Sequence, residues 1–132
     1  MQQVLAQKPN VFVKVRRSTL LAIKGLGMAY QHDPSFKLEI NIGVPIYVAL
    51  LVLLFPLSAG ELALVTGSYL FVLVLELMNT AIERVVDGTG MRNDLMGMSK
   101  DVASSAVFLG FLWCFVTVSY VIVTHPHFWF LG

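Results

Sequence analysis

Acidic and amide side chains recur along one segment of the chain at spacings that place them on one face of a helix. The segment runs from Glu76 through Asn79 and Glu83 to Asp87. At about 100° per residue, Glu83 and Asp87 each lie about 20° from Glu76, and Asn79 lies about 60° away. The surrounding residues are apolar, and an acidic residue at the centre of a membrane helix costs about 2.5 to 3.5 kcal/mol. Such groups normally face a protein interior or a wet cavity, so a functional role is the leading interpretation.

Phosphoryl transfer from ATP is a reaction that uses such an arrangement. Magnesium prefers a few carboxylate oxygens together with phosphates and waters, and a further group must orient the attacking hydroxyl. The deeper Glu76 is placed to accept a proton from a lipid alcohol, and Glu83 is placed to hold the metal nearer the water. Since the rise from Glu76 to Asp87 is about 16 Å, the acidic face extends from within the membrane to its surface.

The phosphates of a nucleotide also require cations. Lys100, followed by Asp101, stands at the start of an apolar stretch, and Lys14 and Arg17 precede the first such stretch. Lysine can neutralise phosphate as a point charge. The segment 88–99 contains Asn93 and several glycines, and we expect its mobile backbone to cover a nucleotide. No Walker-type glycine loop and no protein-kinase signature is present in the sequence.

The composition is that of a membrane protein. Hydrophobic residues make up 57% of the 132 residues and charged residues 13%, with a mean hydropathy of +0.77. The net charge of +1 argues against nucleic acid as a partner. Three stretches, at about 40–57, 62–86 and 102–123, are long enough to cross a bilayer as helices, which takes roughly 20 apolar residues. The link between the first two is so short that they must form a helical hairpin.

A further helix is expected before the first span, over about residues 9–31. Apolar residues recur there at helical spacing while the cations fall largely on other faces, which is typical of a helix on a membrane surface. Asp33-Pro34 ends this helix, because proline disfavours a helical conformation in the preceding residue. The expected architecture is a single all-α membrane domain over residues 1–132, with an amphipathic surface helix and three transmembrane helices.

Basic residues predict the orientation of the spans. They occur before the first span or around the link between the second and third, at Lys8, Lys14, Arg16, Arg17, Lys24, Lys37, Arg84, Arg92 and Lys100. The positive-inside rule then places the N-terminus in the cytoplasm and the C-terminus on the periplasmic or external side. Near the C-terminus, His125 and His127 lack further obvious ligands, and we expect an exposed tail there rather than a metal site.

The acidic segment resembles the signature of the prokaryotic diacylglycerol kinases and undecaprenol kinases. The matching residues are Glu76, Asn79, Thr80, Ala81, Ile82, Glu83 and Asp87, followed by Lys100, Asp101, Ser104, Ala106 and Val107. This resemblance implies ATP- and Mg²⁺-dependent phosphorylation of diacylglycerol to phosphatidate in the bacterial inner membrane. It also implies a homotrimer whose active sites are shared between subunits.

The resemblance assigns roles to individual residues. Glu76 would be the catalytic base and Glu83 a magnesium ligand. Asp33 would be the second carboxylate ligand of the metal, at a position where the family usually has a glutamate. Lys100 and Asp101 would contact the nucleotide. We expect the other nucleotide-site residues to be Lys14, Arg17, Asn79, Asp87 and Asn93, and the residues near the lipid to be Lys24, Glu39 and Ser104.

Each of these residues also has a purely structural interpretation. In that interpretation, Glu76 and Glu83 make polar contacts between helices, and Lys100 is a basic residue at the cytoplasmic end of a transmembrane helix. Asp33 would only end a helix, and the cations of the surface helix would attract lipid headgroups. The alternative functions are an undecaprenol kinase with the same machinery, or a noncatalytic transport or channel subunit whose acids conduct cations or protons.

Overall fold

The computed structural model describes residues 10–126, and within that range the chain forms four α-helices. They are α1 (Val11–His32), α2 (Pro34–Leu53), α3 (Ala59–Gly88) and α4 (Asp94–Thr124). α2, α3 and α4 are each long and apolar enough to cross a membrane. The all-helical class and the three spans expected from the sequence are therefore confirmed. Lys8 and His127 lie outside the described residues.

Asp33 is the single residue that separates α1 from α2. Pro34 occupies the first position of α2, where the missing N–H would have no partner within the helix in any case. The Asp33 Oδ1 atom accepts hydrogen bonds from the backbone N–H groups of Ser35 at 2.9 Å and Phe36 at 3.4 Å. The expected helix break at Asp33-Pro34 is present, and the same carboxylate caps the helix that follows.

The helix bounds differ from the apolar stretches for local reasons. α2 begins at Pro34 rather than near residue 40, because Asp33 caps a polar first turn. It ends at Leu53 rather than near residue 57, because Pro56 disfavours helical conformation just before it. α3 has 30 residues and is therefore about 45 Å long, which exceeds the roughly 30 Å of a hydrocarbon core. It is therefore long enough to extend beyond the apolar layer or to cross it at a tilt.

The link between α3 and α4 is shorter than expected. α4 begins at Asp94, because the Asn93 Oδ1 atom accepts a hydrogen bond from the N–H of Met96 at 3.0 Å. Only residues 89–93 lie between the helices, so the expectation of a mobile segment over 88–99 is wrong for 94–99. Gly90 has a φ of 65°, a left-handed conformation that favours glycine.

α3 is the central helix of the bundle. It packs extensively along α4 and also contacts α2, while α1 contacts α2. Glycines allow two close approaches: a Cβ atom at Gly110 of α4 would lie 2.5 Å from Leu75 Cδ1, and one at Gly43 of α2 would lie 2.7 Å from the Tyr69 hydroxyl oxygen. The Tyr69 hydroxyl donates a hydrogen bond to the backbone carbonyl of Glu39 at 2.9 Å, which ties α3 to α2.

Near the N-terminal end of α3, a polar contact between Glu61 and His125 accompanies a small apolar cluster. Leu54, Val65 and Val121 form the buried cluster. The His125 Nδ1 atom lies 2.8 Å from Glu61 Oε1, and the histidine is only 1% exposed. The expectation that His125 lies on an exposed tail is wrong, because Glu61 binds its imidazole inside the bundle.

We expect Gly43→Ala to destabilise the bundle by about 1 to 3 kcal/mol, because the added methyl group would overlap the Tyr69 hydroxyl and displace it from the Glu39 carbonyl. The midpoint of thermal unfolding in detergent micelles measures this effect. Gly67→Ala is the matched control, since a Cβ atom at Gly67 would meet nothing within 4 Å. Alanine is also the better helix former. Equal midpoints for the two variants would contradict the packing described here.

Candidate active site

The acidic face of α3 turns into the protein interior at Glu76. This side chain is only 5% exposed, although it belongs to a helix apolar enough to span a membrane. The acidic side chains of Asp33 and Glu83 lie close enough to act on it electrostatically. A buried ionised carboxylate is unfavourable unless a partner compensates it, and these neighbours add negative charge instead. The arrangement is therefore one that a positively charged ligand would stabilise.

Glu39 of α2 belongs to the same group of carboxylates. Its charge interacts with those of Glu76 and Asp33. The Glu39 Oε2 atom is buried and has no hydrogen-bond partner among the described residues. We call Asp33, Glu39, Glu76 and Glu83 the acidic cluster. Two neighbouring helices and the junction between α1 and α2 contribute to it.

Thr80 links the α1–α2 junction to α3. Its hydroxyl donates a hydrogen bond to the Asp33 Oδ2 atom. The same hydroxyl lies 2.9 Å from the backbone carbonyl oxygen of Glu76, one turn earlier in α3. Asp33 is thereby held against the helix that carries Glu76 and Glu83.

Asn79 holds the Glu83 carboxylate from within α3. Its Nδ2 atom donates a hydrogen bond to Glu83 Oε1 at 3.1 Å. The Asn79 Oδ1 atom is buried without a hydrogen-bond partner among the described residues. Asn79 therefore orients one carboxylate while leaving a hard oxygen acceptor available to a ligand.

Asp87 and Lys100 form an ion pair where α3 ends and α4 begins. The Lys100 Nζ atom lies 2.7 Å from Asp87 Oδ1, and the two side chains are 36% and 67% exposed, respectively. An exposed pair of this kind contributes little to stability. The ion pair instead positions a side chain, because it holds the Lys100 ammonium group at the water-accessible end of the acidic face.

The remaining candidate residues stand apart from the acidic cluster within the described chain. Lys14, Arg17 and Lys24 of α1 and Asp101 and Ser104 of α4 are exposed. No hydrogen bond or ion pair within residues 10–126 joins their side chains to the cluster. Asn93 is committed to the N-terminus of α4 through its bond to the Met96 N–H. One chain thus assembles the carboxylates but not the full set of expected nucleotide and lipid contacts.

Two residues of the site region were not assigned roles from the sequence. Tyr69 lies seven residues before Glu76, so it falls about 20° from Glu76 on the same face of α3. Thr80 lies four residues after Glu76, about 40° away. Helical spacing would have placed both on the acidic face, but their partners, Glu39 and Asp33, lie on other elements.

The side-chain oxygen atoms in and beside the acidic cluster are of the kind that magnesium prefers. Within residues 10–126, no group of three or more Asp, Glu, His or Cys side chains is arranged to hold a metal by itself. Magnesium does not need such a cage, because it is usually bound by one or two carboxylates together with substrate phosphates and waters. Glu39 Oε2 and Asn79 Oδ1 are hard, buried oxygen acceptors that lack a donor among the described residues.

The family model for prokaryotic diacylglycerol kinases matches residues 20–122. The chain belongs to this family. A diacylglycerol kinase of Haemophilus influenzae is 36% identical over 95 residues, which are 70% of this chain and 77% of the relative. The diacylglycerol kinase of Escherichia coli strain K12 is 27% identical over 123 residues, 92% of this chain and 98% of the relative. One from Synechocystis is 33% identical over 103 residues, 76% of this chain and 55% of the relative.

Family membership identifies the chain as a lipid kinase and a multi-pass membrane protein of a bacterial family. The matched region includes the whole acidic cluster and the Asp87–Lys100 pair, whereas Lys14 and Arg17 precede it. This membership favours an enzyme over the noncatalytic transport or channel subunit that the sequence had left open.

Proposed function

We propose that this lipid kinase transfers the terminal phosphate of ATP to the primary hydroxyl of sn-1,2-diacylglycerol, giving phosphatidate and ADP. The observation that carries the proposal is the burial of Glu76 among other carboxylates, in a helix long enough to extend beyond the hydrocarbon layer. A lipid hydroxyl would approach Glu76 from the apolar side. A nucleotide would approach from the α3 end that carries Asp87 and Lys100.

In the proposed reaction Glu76 is the catalytic base. The lipid hydroxyl oxygen forms a bond to the terminal phosphorus as the bond from that phosphorus to the bridging oxygen of ADP breaks. Glu76 accepts the hydroxyl proton, so the attacking oxygen does not carry a positive charge. Holding the hydroxyl in line with the phosphate supplies a large part of the acceleration.

Asp33 and Glu83 are the residues that would hold Mg²⁺, which when bound offsets the charge of the phosphates. Asn79 supports this role by orienting Glu83 through the 3.1 Å hydrogen bond. Lys100 would neutralise phosphate charge, and Asp87 positions its ammonium group at 2.7 Å. Further nucleotide contacts are proposed for Lys14, Arg17, Asn93 and Asp101.

An apolar groove supports a lipid as the acceptor. The groove lies between α2, α3 and α4 and encloses about 590 Å³. Its walls include Ile42, Leu50 and Ile122, and Glu39 of the acidic cluster also lines it. An acyl chain in this groove would bring the polar end of the lipid towards Glu76. Lys24, Glu39 and Ser104 are the proposed contacts near that polar end.

The proposed setting is the bacterial inner membrane with the N-terminus in the cytoplasm. The distribution of basic residues supports this orientation. α1 would lie on the cytoplasmic surface as an amphipathic helix, and the exposed side chains of Phe12, Leu20 and Ile23 suit a headgroup region. A homotrimer with shared sites is proposed because the exposed α1 and α4 candidates of one chain could complete the site of another.

We expect the purified protein, in mixed micelles with radiolabelled ATP and Mg²⁺, to label diacylglycerol much faster than undecaprenol. The products are separated by thin-layer chromatography, and micelles without an acceptor lipid provide the background. Preferential labelling of undecaprenol would replace the proposed acceptor with the alternative one. Labelling of neither lipid above background would contradict the proposed reaction.

We expect Glu76→Gln to lower turnover by about 10²- to 10⁴-fold, because the amide cannot accept the hydroxyl proton. The near-identical shape of glutamine should preserve the elution volume and the unfolding midpoint. Glu61→Gln is the matched control, since it makes the same change at the opposite end of α3 and should retain turnover. Unchanged turnover in Glu76→Gln would reject the role of Glu76 as the base.

We expect Lys100→Met to raise the KM for ATP by about ten- to a hundredfold, because a charge-assisted contact to phosphate is lost. Its unfolding midpoint should change little, since the pair with Asp87 is exposed. Lys37→Met removes an exposed lysine of α2 and serves as the control. Equal KM values for ATP in the two variants would contradict a nucleotide contact by Lys100.

A further inference from the structure

Asp33 is held from two directions by its two carboxylate oxygens. Oδ1 accepts the backbone N–H groups of Ser35 and Phe36 at the start of α2. Oδ2 accepts the hydroxyl of Thr80 from α3. Phe36 is only 3% exposed, so the first turn of α2 is anchored by packing as well. The backbone contacts locate Asp33 along α2, whereas the Thr80 contact brings its carboxylate to α3.

Electrostatic repulsion opposes this position. When these side chains are ionised, the charge of Asp33 repels those of Glu39 and Glu76. Like charges at close range favour separation, and an aspartate at a helix junction can turn towards solvent. The Thr80 hydroxyl supplies a donor that opposes this movement, since a hydrogen bond to a charged group is stronger than one between neutral groups.

We propose that Thr80 is a positioning residue that holds the Asp33 carboxylate in reach of a divalent cation shared with Glu83. Thr80 lies three residues before Glu83, which is within one helical turn on the same side of α3. A carboxylate held by Thr80 therefore stands beside the face that carries Glu83. This inference rests on the proposed function, because it takes Asp33 and Glu83 as the metal ligands.

The Thr80 hydroxyl can also release Asp33 at little cost. It has one proton and two acceptors within reach, Asp33 Oδ2 and the Glu76 carbonyl oxygen at 2.9 Å. When a cation engages Asp33, the proton can turn to the carbonyl of its own helix, a bond that threonine commonly makes. No buried donor is then left unsatisfied, so Thr80 positions the carboxylate without competing with the cation.

The test compares Thr80→Ser with Thr80→Ala, which differ from each other by one hydroxyl oxygen. Mn²⁺ binding to each purified variant in detergent is titrated by electron paramagnetic resonance, and the Mg²⁺ concentration for half-maximal activity is measured alongside. We expect Thr80→Ala to bind Mn²⁺ about tenfold more weakly than the unaltered protein. Thr80→Ser should bind Mn²⁺ with close to the original affinity, and the Mg²⁺ requirement should follow the same order.

Two controls separate the possible failures. Thr80→Val keeps the shape of threonine, so a loss of affinity in both the alanine and valine variants assigns the effect to the hydroxyl rather than to packing. Equal Mn²⁺ affinities of the serine and alanine variants would overturn the role of Thr80 while leaving the proposed reaction intact. An unaltered protein that binds no Mn²⁺ and needs no divalent cation would overturn both the metal assignment and this inference.

Discussion

The burial of Glu76 is the constraint on which the rest of the site depends. An ionised carboxylate in an apolar helix is tolerated only where it faces protein or water, and its exposure of 5% shows that it faces protein. The charged groups that act on it, Asp33 and Glu83, are themselves acidic, and Lys100 is paired with Asp87 rather than with Glu76. When its carboxylates are ionised, the cluster therefore has uncompensated negative charge that a metal ion would offset. A site with this charge balance suits a ligand that brings a cation and phosphates together.

The two ends of α3 serve different purposes. At its N-terminal end, the Glu61 carboxylate caps the helix at Ser58 and also binds the buried His125, above the apolar cluster. The contact between Glu61 and His125 joins α3 to the C-terminal end of α4. At the other end, buried oxygens of Glu39 and Asn79 lack donors among the described residues, and the ion pair of Lys100 is exposed. Contacts between α3 and α4 therefore support the fold at the N-terminal end of α3, whereas the other end contains buried oxygen atoms that suit the proposed ligand site.

Asp33 couples the backbone to the acidic cluster. One oxygen caps α2 and the other contacts Thr80, so the start of a membrane helix and the position of a candidate metal ligand depend on the same side chain. The structural interpretation of Asp33, that it only ends a helix, is therefore incomplete. Its capping contact is real, and its second oxygen still faces α3. A change that shifts the α1–α2 junction would be expected to move this carboxylate as well.

The sequence alone determined the features that depend on local pattern. Hydropathy located three spans, helical spacing placed Glu76, Asn79 and Glu83 along one helix, and Asp33-Pro34 marked a helix break. Helix ends were less accurate, because caps such as Asn93 extend helices into polar residues that hydropathy does not detect.

Only the tertiary structure decided which distant side chains meet. Three contacts join residues that are far apart in the chain. Glu39 belongs to the acidic cluster, Thr80 donates a hydrogen bond to Asp33, and His125 lies inside the bundle beside Glu61. Periodicity relates residues within one helix, but these contacts depend on how the helices approach and rotate against one another. Gly43 and Gly110 permit a close approach because they lack side chains. A single sequence does not specify which residue of a neighbouring helix packs against each glycine.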